Sequence, residues 1–317
     1  MFSRIISLFT CGLIFSLFVT SQQVFASSDS CRCVAFRLDD IQDYYLNNVQ
    51  IEIINTFQKS NKSLTIGVIG NYFGTDTTVV NYLKERLENN TPLEIANHGW
   101  NHEDFTLFDK NEQSQLIKKT NEKISNVLED TPNGFVAPFN KINDNTITAL
   151  RENRIRYVSA NMTQDLPPYD IKNNSFYHLP AATFTGDLNS DNSYWFGTSH
   201  KDTFAKIQAS LTNHGFAVVT LHPQEYSKRD GLNFSNEVDD SQIEELEMLI
   251  NEIDSSDLDI VTLNEIPNHF TVQQKVPAWV NHIFIWYETK MISSDEVINA
   301  IQFLIENKII KFSSESF

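Results

Sequence analysis

Three short segments place ionisable side chains where they could act together. Phe36-Arg37-Leu38-Asp39-Asp40 closes an apolar run that begins at Cys33. His98-Gly99-Trp100-Asn101-His102 follows the apolar run 93–96, and Thr220-Leu221-His222-Pro223 closes the run 216–221. Adjacent carboxylates repel each other unless a cation lies between them or one is protonated. Neighbouring side chains on a strand diverge, so one of the two can ligate an ion while the other faces a substrate. His98 and His102 are four apart, and on one helical turn that spacing puts both imidazoles on one side, able to share a metal. Imidazole with carboxylate suits Zn²⁺ and accepts other divalent ions. Each feature alone has an ordinary explanation: an Asp pair caps helices and turns, two histidines sit on a surface, and a lone His is hydrogen-bonded structure. Their joint occurrence at three strand ends is the stronger signal.

The elements that must position these residues alternate along the chain. Apolar runs predict strands over 33–38, 64–69, 93–96, 135–136, 157–158, 216–221 and 258–263, and helical spacing predicts helices over 49–59, 79–87, 112–128 and 243–253. In the third helix Leu116, Ile117, Ile124 and Leu128 share one side. Repeated β-then-α units imply a parallel sheet with helices outside it. About seven strands suit closure into a barrel better than a small open sheet, and barrels collect their chemistry at the C-terminal ends of the strands. The predicted fold is α/β: a distorted (β/α) barrel of about seven parallel strands over residues 27–270, with a small helical unit over 271–317. The stretch 161–199, polar and irregular with Pro167, Pro168, Pro180 and Gly186, reads as a long loop.

The chain ends carry other signals. Residues 1–26 read as a secretory signal: Arg4, an uncharged apolar run from Ile5 to Val19, and Val24-Phe25-Ala26 as a cleavage site. That run is short of the ~20 residues that span a bilayer, so no membrane span is expected in the mature chain, which would be secreted or held at the cell surface. Cys31 and Cys33, two apart, are expected to be unpaired and half-buried at the start of the first strand. In the C-terminal unit Trp279, Phe284, Trp286 and Tyr287 supply aromatic anchors, and Ser293 with Glu296 fits a capping box. Val297, Ile298, Ile301, Leu304 and Ile305 form an apolar stripe. So small a unit is expected to dock onto the barrel. With 24 Lys+Arg against 41 Asp+Glu, the net charge of -17 excludes nucleic acid and anionic membrane surfaces as partners.

Over about residues 33–268 the chain resembles the polysaccharide deacetylase family, the NodB-homology group of carbohydrate esterases. The family's first motif ends in two aspartates, matched by Asp39 and Asp40. Its second is His, three residues, His, matched by His98 and His102. Its third is matched by Phe135-Val136-Ala137-Pro138-Phe139-Asn140, and its fifth ends in a His after an apolar strand, matched by His222. The resemblance implies a divalent metal, Zn²⁺ first, on Asp40, His98 and His102. It implies Asp39 as general base, His222 as general acid, and the backbone N–H of Phe139 as an oxyanion donor. The implied reaction is hydrolysis of N-acetyl groups from amino sugars of an extracellular or envelope glycan. Two other roles fit the same scaffold: a non-catalytic glycan- or envelope-binding protein that retains the metal site, and a hydrolase of a non-sugar C–N bond.

Two departures stand out. Val136 occupies the place of the family's third-motif Arg, and no Asp near 157–162 matches the one that supports the His acid. Arg37 lies two before Asp39 and so on the same side of a strand; it is either a partner of Asp39 or a rim arginine paired elsewhere. Asp165, Asp170 and Asp187 are candidates to support His222. Thr220 stands where an apolar residue often meets the acetyl methyl, which implies an altered acyl pocket. The C-terminal unit resembles a short Trp-containing helical module of secreted archaeal proteins.

Overall fold

The computed structural model describes residues 31–161, 169–170, 176–188, 195–269, 283, 286–287 and 289–306. The first half alternates strand and helix: β1 (Cys33–Ile41), α1 (Asn47–Lys59), β2 (Leu64–Val68), α2 (Thr77–Glu88), β3 (Leu93–Asn97), α3 (Lys110–Leu128), β4 (Gly134–Val136), α4 (Asp144–Glu152) and β5 (Tyr157–Ser159). Then come β6 (Tyr169–Asp170), β7 (Tyr177–His178), β8 (Thr183–Phe184), β9 (Gly186–Leu188), β10 (Trp195–Gly197), α5 (His200–His214) and β11 (Phe216–Leu221). A hairpin of β12 (Ser227–Asp230) and β13 (Asn233–Val238), α6 (Asp240–Ser255), β14 (Asp259–Val261) and α7 (Ile266–His269) complete the barrel region. Helix α3 starts two residues before the predicted point because Asp109 and Glu112 form a capping box.

The sheet is parallel along β11, β1, β2, β3, β4 and β5. Its central strands are buried on both faces, as a sheet covered by helices requires. On β1 the period of two is plain. Val34, Phe36 and Leu38 enter the outer core with residues of α1, α5 and α6, while Cys33 and Ala35 enter the inner core with Ala96, Val136, Phe216 and Val218. Arg37 and Asp39 continue that inner column toward the mouth.

The strand that closes the curl was not among those predicted. β7 pairs with β5 and β8 with β11, both parallel, and the two are halves of one extended run. Leu179 and Ala181 N–H donate to Val158 and Ala160 O, then Ala182 and Thr185 N–H switch to Val218 and Thr220 O. This run lies inside the stretch expected to be a loop. Its paired pieces are two residues each and flank Pro180, so no alternation marks them. The predicted last strand, β14, instead pairs only with Cys33–Ala35 of β1, before β2 joins at Arg37.

Cys31 and Cys33 are joined as a disulfide, Cα atoms 5.0 Å apart, rather than free. Arg32 between them is left-handed at φ 46, which removes the ordinary strand geometry assumed from sequence. No described helix is long and apolar enough to cross a membrane. In the C-terminal unit, α8 (Ser294–Glu306, the last described helix) begins with the expected reciprocal bonds between Ser293 and Glu296. Its small core is Ile283 and Leu304 with Ile292, Val297 and Ala300. Ile298, placed in the stripe from sequence, is instead 54% exposed. The buried set 297, 300 and 304 lies one residue, about 100°, to one side of it. The junction over 270–282, and with it the expected docking, lies outside the described residues.

Far from the mouth, inside the barrel, Glu94 accepts hydrogen bonds from Tyr157 Oη (2.9 Å), Thr65 Oγ1 (2.8 Å) and Asn264 N–H (3.1 Å). Burial outweighs these bonds and pushes its carboxyl up from 4.5 to about 7. Between those two values the folded chain holds a proton that the unfolded chain has lost, so this contribution to stability falls as pH rises through that window. Glu94→Gln should flatten the dependence of the urea midpoint on pH there; equal slopes in parent and variant would exclude the effect.

Candidate metal centre

β1 delivers two carboxylates because its pairing with β2 shifts register between Leu38 and Ile41. Asp40 sits in that irregularity at φ 64, while Asp39 keeps the inward position. His102, Phe139 and Asn140 are also left-handed, at φ 58, 54 and 55. Such conformations cost non-glycine residues about 1–3 kcal/mol each, and these four fall in three neighbouring loops.

His98 and His102 are not on a helix. They flank a bent loop after β3, and the loop is anchored by Asn97. The Asn97 side chain donates to Ile117 O (3.0 Å) and Asn121 Oδ1 (2.7 Å), and accepts from Gly99 N–H (2.9 Å). The His98 ring is buried, with Nδ1 2.8 Å from Val136 O. In that bond Nδ1–H donates to the carbonyl oxygen, which leaves the Nε2 lone pair facing the cavity. His98 Nε2 and His102 Nε2 each lie 3.3 Å from Asp40 Oδ1. The three candidate ligand atoms are within 4.8 Å of one another. Among the described residues, buried His98 Nε2 has no hydrogen-bond partner. A lone pair facing a carboxylate at this distance calls for a positive charge between them, and a divalent cation fits the donor set. In the protein alone the same need shows as titration. Burial opposes charge on both groups, yet contact with Asp40, and Asp39 nearby, raises His98, and His98, His222 and His102 hold Asp40 well below the usual carboxylate range. His102 is lowered, by burial and by His98.

Asp39 stands beside this trio. Arg37, wholly buried, donates from Nη2 to Asp39 Oδ2 at 3.1 Å, from Nη1 to Ser159 Oγ at 2.8 Å, and also to Asn140 Oδ1. Burial lowers its pKa, against the opposing pull of Asp39. Of the two placements considered for Arg37, the structure has the one at Asp39. Asp39 Oδ1 is buried and has no hydrogen-bond partner among the described residues. Gly67 faces it: a Cβ there would lie 3.3 Å from His98 Cβ and 3.7 Å from Asp39 Oδ1, so a larger side chain would intrude between them.

The turn after β11 supplies the opposite wall. His222 Nδ1 lies 2.9 Å from Glu225 Oε1, and Glu225 Oε2 accepts from Thr185 Oγ1 at 2.5 Å. The Glu225 side chain is fully buried. It passes so close to Gly186 that a Cβ there would lie 2.5 Å from its Cδ. Burial lowers the His222 pKa, but the Glu225 bond and charge outweigh it and raise the imidazole above its ordinary value, with smaller help from Asp39 and Asp40. Gln224 Nε2, on the same turn, lies 3.5 Å from Asp40 Oδ2. Trp195 stacks on the His222 ring at 4.5 Å, and Phe184 lies nearly parallel to it at 6.2 Å. Thr220 is wholly buried, opposite Arg37 in the β1–β11 register, and its Oγ1 has no hydrogen-bond partner among the described residues.

None of the aspartates considered as support for His222 is its partner among the described residues. Asp165 and the side chain of Asp170 lie outside them, and Asp187 is exposed with its Oδ1 on Leu188 N–H. Glu225 takes that place. Its i,i+3 spacing from His222 across Pro223 was the available signal; Asn140, Trp195 and Phe184 had none.

Residues 26–158 match the model of the polysaccharide deacetylase family. Over these residues, the first half of the barrel, the chain is similar to that family. The match contains Asp39, Asp40, His98, His102 and Phe139, and His222 lies beyond it. Among solved structures, a putative polysaccharide deacetylase from Mycobacterium smegmatis is 20% identical, with 76% of this chain and 91% of that one covered and a TM-score of 0.57. A family 4 acetyl xylan esterase from Clostridium thermocellum, solved with a cobalt ion, is 17% identical, with 74% and 89% covered and a TM-score of 0.48. A CE4 family pseudoenzyme from Bacillus anthracis is 14% identical, with 74% of this chain covered and a TM-score of 0.49; this chain spans 65% of its length. At these identities the likeness concerns the fold. No curated protein matches the chain.

Proposed function

We propose that this chain is a metal-dependent hydrolase of the polysaccharide deacetylase family, acting outside the cytoplasm, that removes N-acetyl groups from amino sugars of an extracellular or envelope glycan. The observation that carries the proposal is one geometric fact: the Asp40–His98–His102 trio lies beside a carboxylate and an imidazole that are not part of it. A divalent cation on the trio, Zn²⁺ in the first instance, would supply Lewis acidity toward water and an acetamide carbonyl.

The chain's own groups divide the proton work. Arg37 fixes Asp39 Oδ2 and leaves Oδ1 to accept a proton from the attacking water. His222, protonated and oriented through Nδ1 by Glu225, gives its Nε2 proton to the departing amine nitrogen. The Phe139 backbone N–H serves as donor to the developing oxyanion. Trp195 stacks on His222 with Phe184 beside it, and together they cover that side of the imidazole. The products are a free amine on the sugar and acetate.

The test is metal analysis of the purified full chain together with acetate release from chitin oligomers. About one divalent ion per chain and metal-dependent acetate release are expected, with His98→Ala losing both. A metal-replete protein that releases no acetate from any N-acetylated oligomer would overturn the hydrolase assignment in favour of a glycan-binding role.

A further inference from the structure

Four consecutive loops at the mouth of the barrel each carry an aromatic ring that is exposed or half-buried. Tyr44 follows β1, Tyr72 follows β2, Trp100 follows β3 and Phe139 follows β4. The backbones of the first three are joined side by side. Asp43 N–H donates to Tyr72 O at 2.7 Å and Asn71 N–H to Trp100 O at 2.8 Å. At the far end the Phe139 ring meets the ring of the metal-centre residue His102 at 4.6 Å. The rings therefore follow one another along the rim in the order of the strands beneath them. Tyr44 is 73% exposed, Phe139 55% and Tyr72 47%. Trp100 is half-buried and has the Lys119 ammonium 3.8 Å over its ring.

A single exposed ring needs no explanation. A rigid one adjoining a candidate catalytic centre does. Tyr44 is held at both ends: its N–H donates to Asp76 Oδ2 (3.3 Å), its Oη donates to Thr75 O (3.0 Å), and its backbone is left-handed at φ 56. The loops beneath are tied by the buried Asp43, whose Oδ2 accepts from Thr75 Oγ1 (3.0 Å) and Asp76 N–H (2.9 Å). A ring already immobilised in water loses little further freedom on binding. Its flat apolar face matches the C–H face of a pyranose.

We infer that Tyr72 and Tyr44 form a glycan subsite continuous with the metal centre, on which successive sugar rings of a polymer lie while one unit occupies the centre. This rests on the function proposed above and extends it: the substrate is a chain of several sugars, neutral or amine-bearing. A strongly anionic polymer would be repelled by a protein of net charge -17.

The test compares chitin hexamer with dimer. In the double variant Tyr44→Ala/Tyr72→Ala, kcat/KM for the hexamer divided by that for the dimer should fall, by about twofold to tenfold for each ring lost. The change should appear mainly in KM. In an Asp39→Asn background, hexamer affinity by calorimetry should weaken by the same factor. Met248→Ala, which removes a hydrophobe 40% exposed on α6, should leave the ratio where it was. If neither the ratio nor the affinity moves in the double variant, the tyrosines are not a subsite. If no oligomer releases acetate yet the double variant still weakens hexamer binding, the hydrolase reading fails and the subsite stands.

Discussion

Asp39→Asn should leave the metal content of the protein unchanged and lower kcat for acetate release by about 10²–10⁴. The side chain is not one of the three candidate ligands, so the trio of Asp40, His98 and His102 keeps its donor atoms. Asn has the same shape and can still accept from Arg37 through its carbonyl oxygen, which preserves the buried contact at 3.1 Å. What it lacks is a second oxygen able to take a proton, and Oδ1 is the atom that is buried, beside His98 and without a hydrogen-bond partner among the described residues. The contrast with His98→Ala is diagnostic, because that change removes a ligand and should abolish both metal and turnover. Acetate release by Asp39→Asn at the parent's rate would sink the assignment of this carboxylate as base, whatever the metal content.

Glu225→Gln should shift the basic limb of the kcat profile to lower pH and reduce kcat at neutral pH by about 10–100-fold. The sign follows from the geometry. Glu225 raises the His222 pKa against the opposing effect of burial. Without its charge the imidazole loses its proton at a lower pH, and an acid that must be protonated stops working sooner as pH rises. Gly186→Ala should act in the same direction without touching either residue, because the new methyl would press on the Glu225 carboxyl carbon. A basic limb that stays in place in both variants would show that Glu225 packs against His222 without setting its protonation. Metal content serves as the control for folding, since neither residue belongs to the trio.

Much of this was legible in the residue order, for reasons that are local. Strands β1, β2, β3 and β11 are apolar on both faces and bounded by helices with clear periodicity, so their existence and order follow from short-range pattern. Chemistry at strand ends then follows from the parallel topology, which is why Asp39, Asp40, His98, His102 and His222 could be named together before any coordinates. Arg37 belongs to the same class, since a period of two joins it to Asp39 on one strand.

What the tertiary structure alone decided is the layer that holds those groups. Asn140 reaches Arg37 across 103 residues of chain, Arg37 reaches Ser159 across 122, and Thr185 reaches Glu225 across 40. No local periodicity encodes such contacts, and the run that closes the barrel, β7 with β8, is in pieces too short, and too interrupted by Pro180, to announce itself as a strand. Glu225 shows the division most clearly. Its spacing from His222 is visible in the chain, but its direction is set by a hydroxyl on Thr185 and by the missing side chain at Gly186, both brought there by folding. Residue order determined which groups could do the chemistry, because strand ends are local features; only the closed barrel determined which neighbours orient them, because those neighbours come from strands distant in sequence.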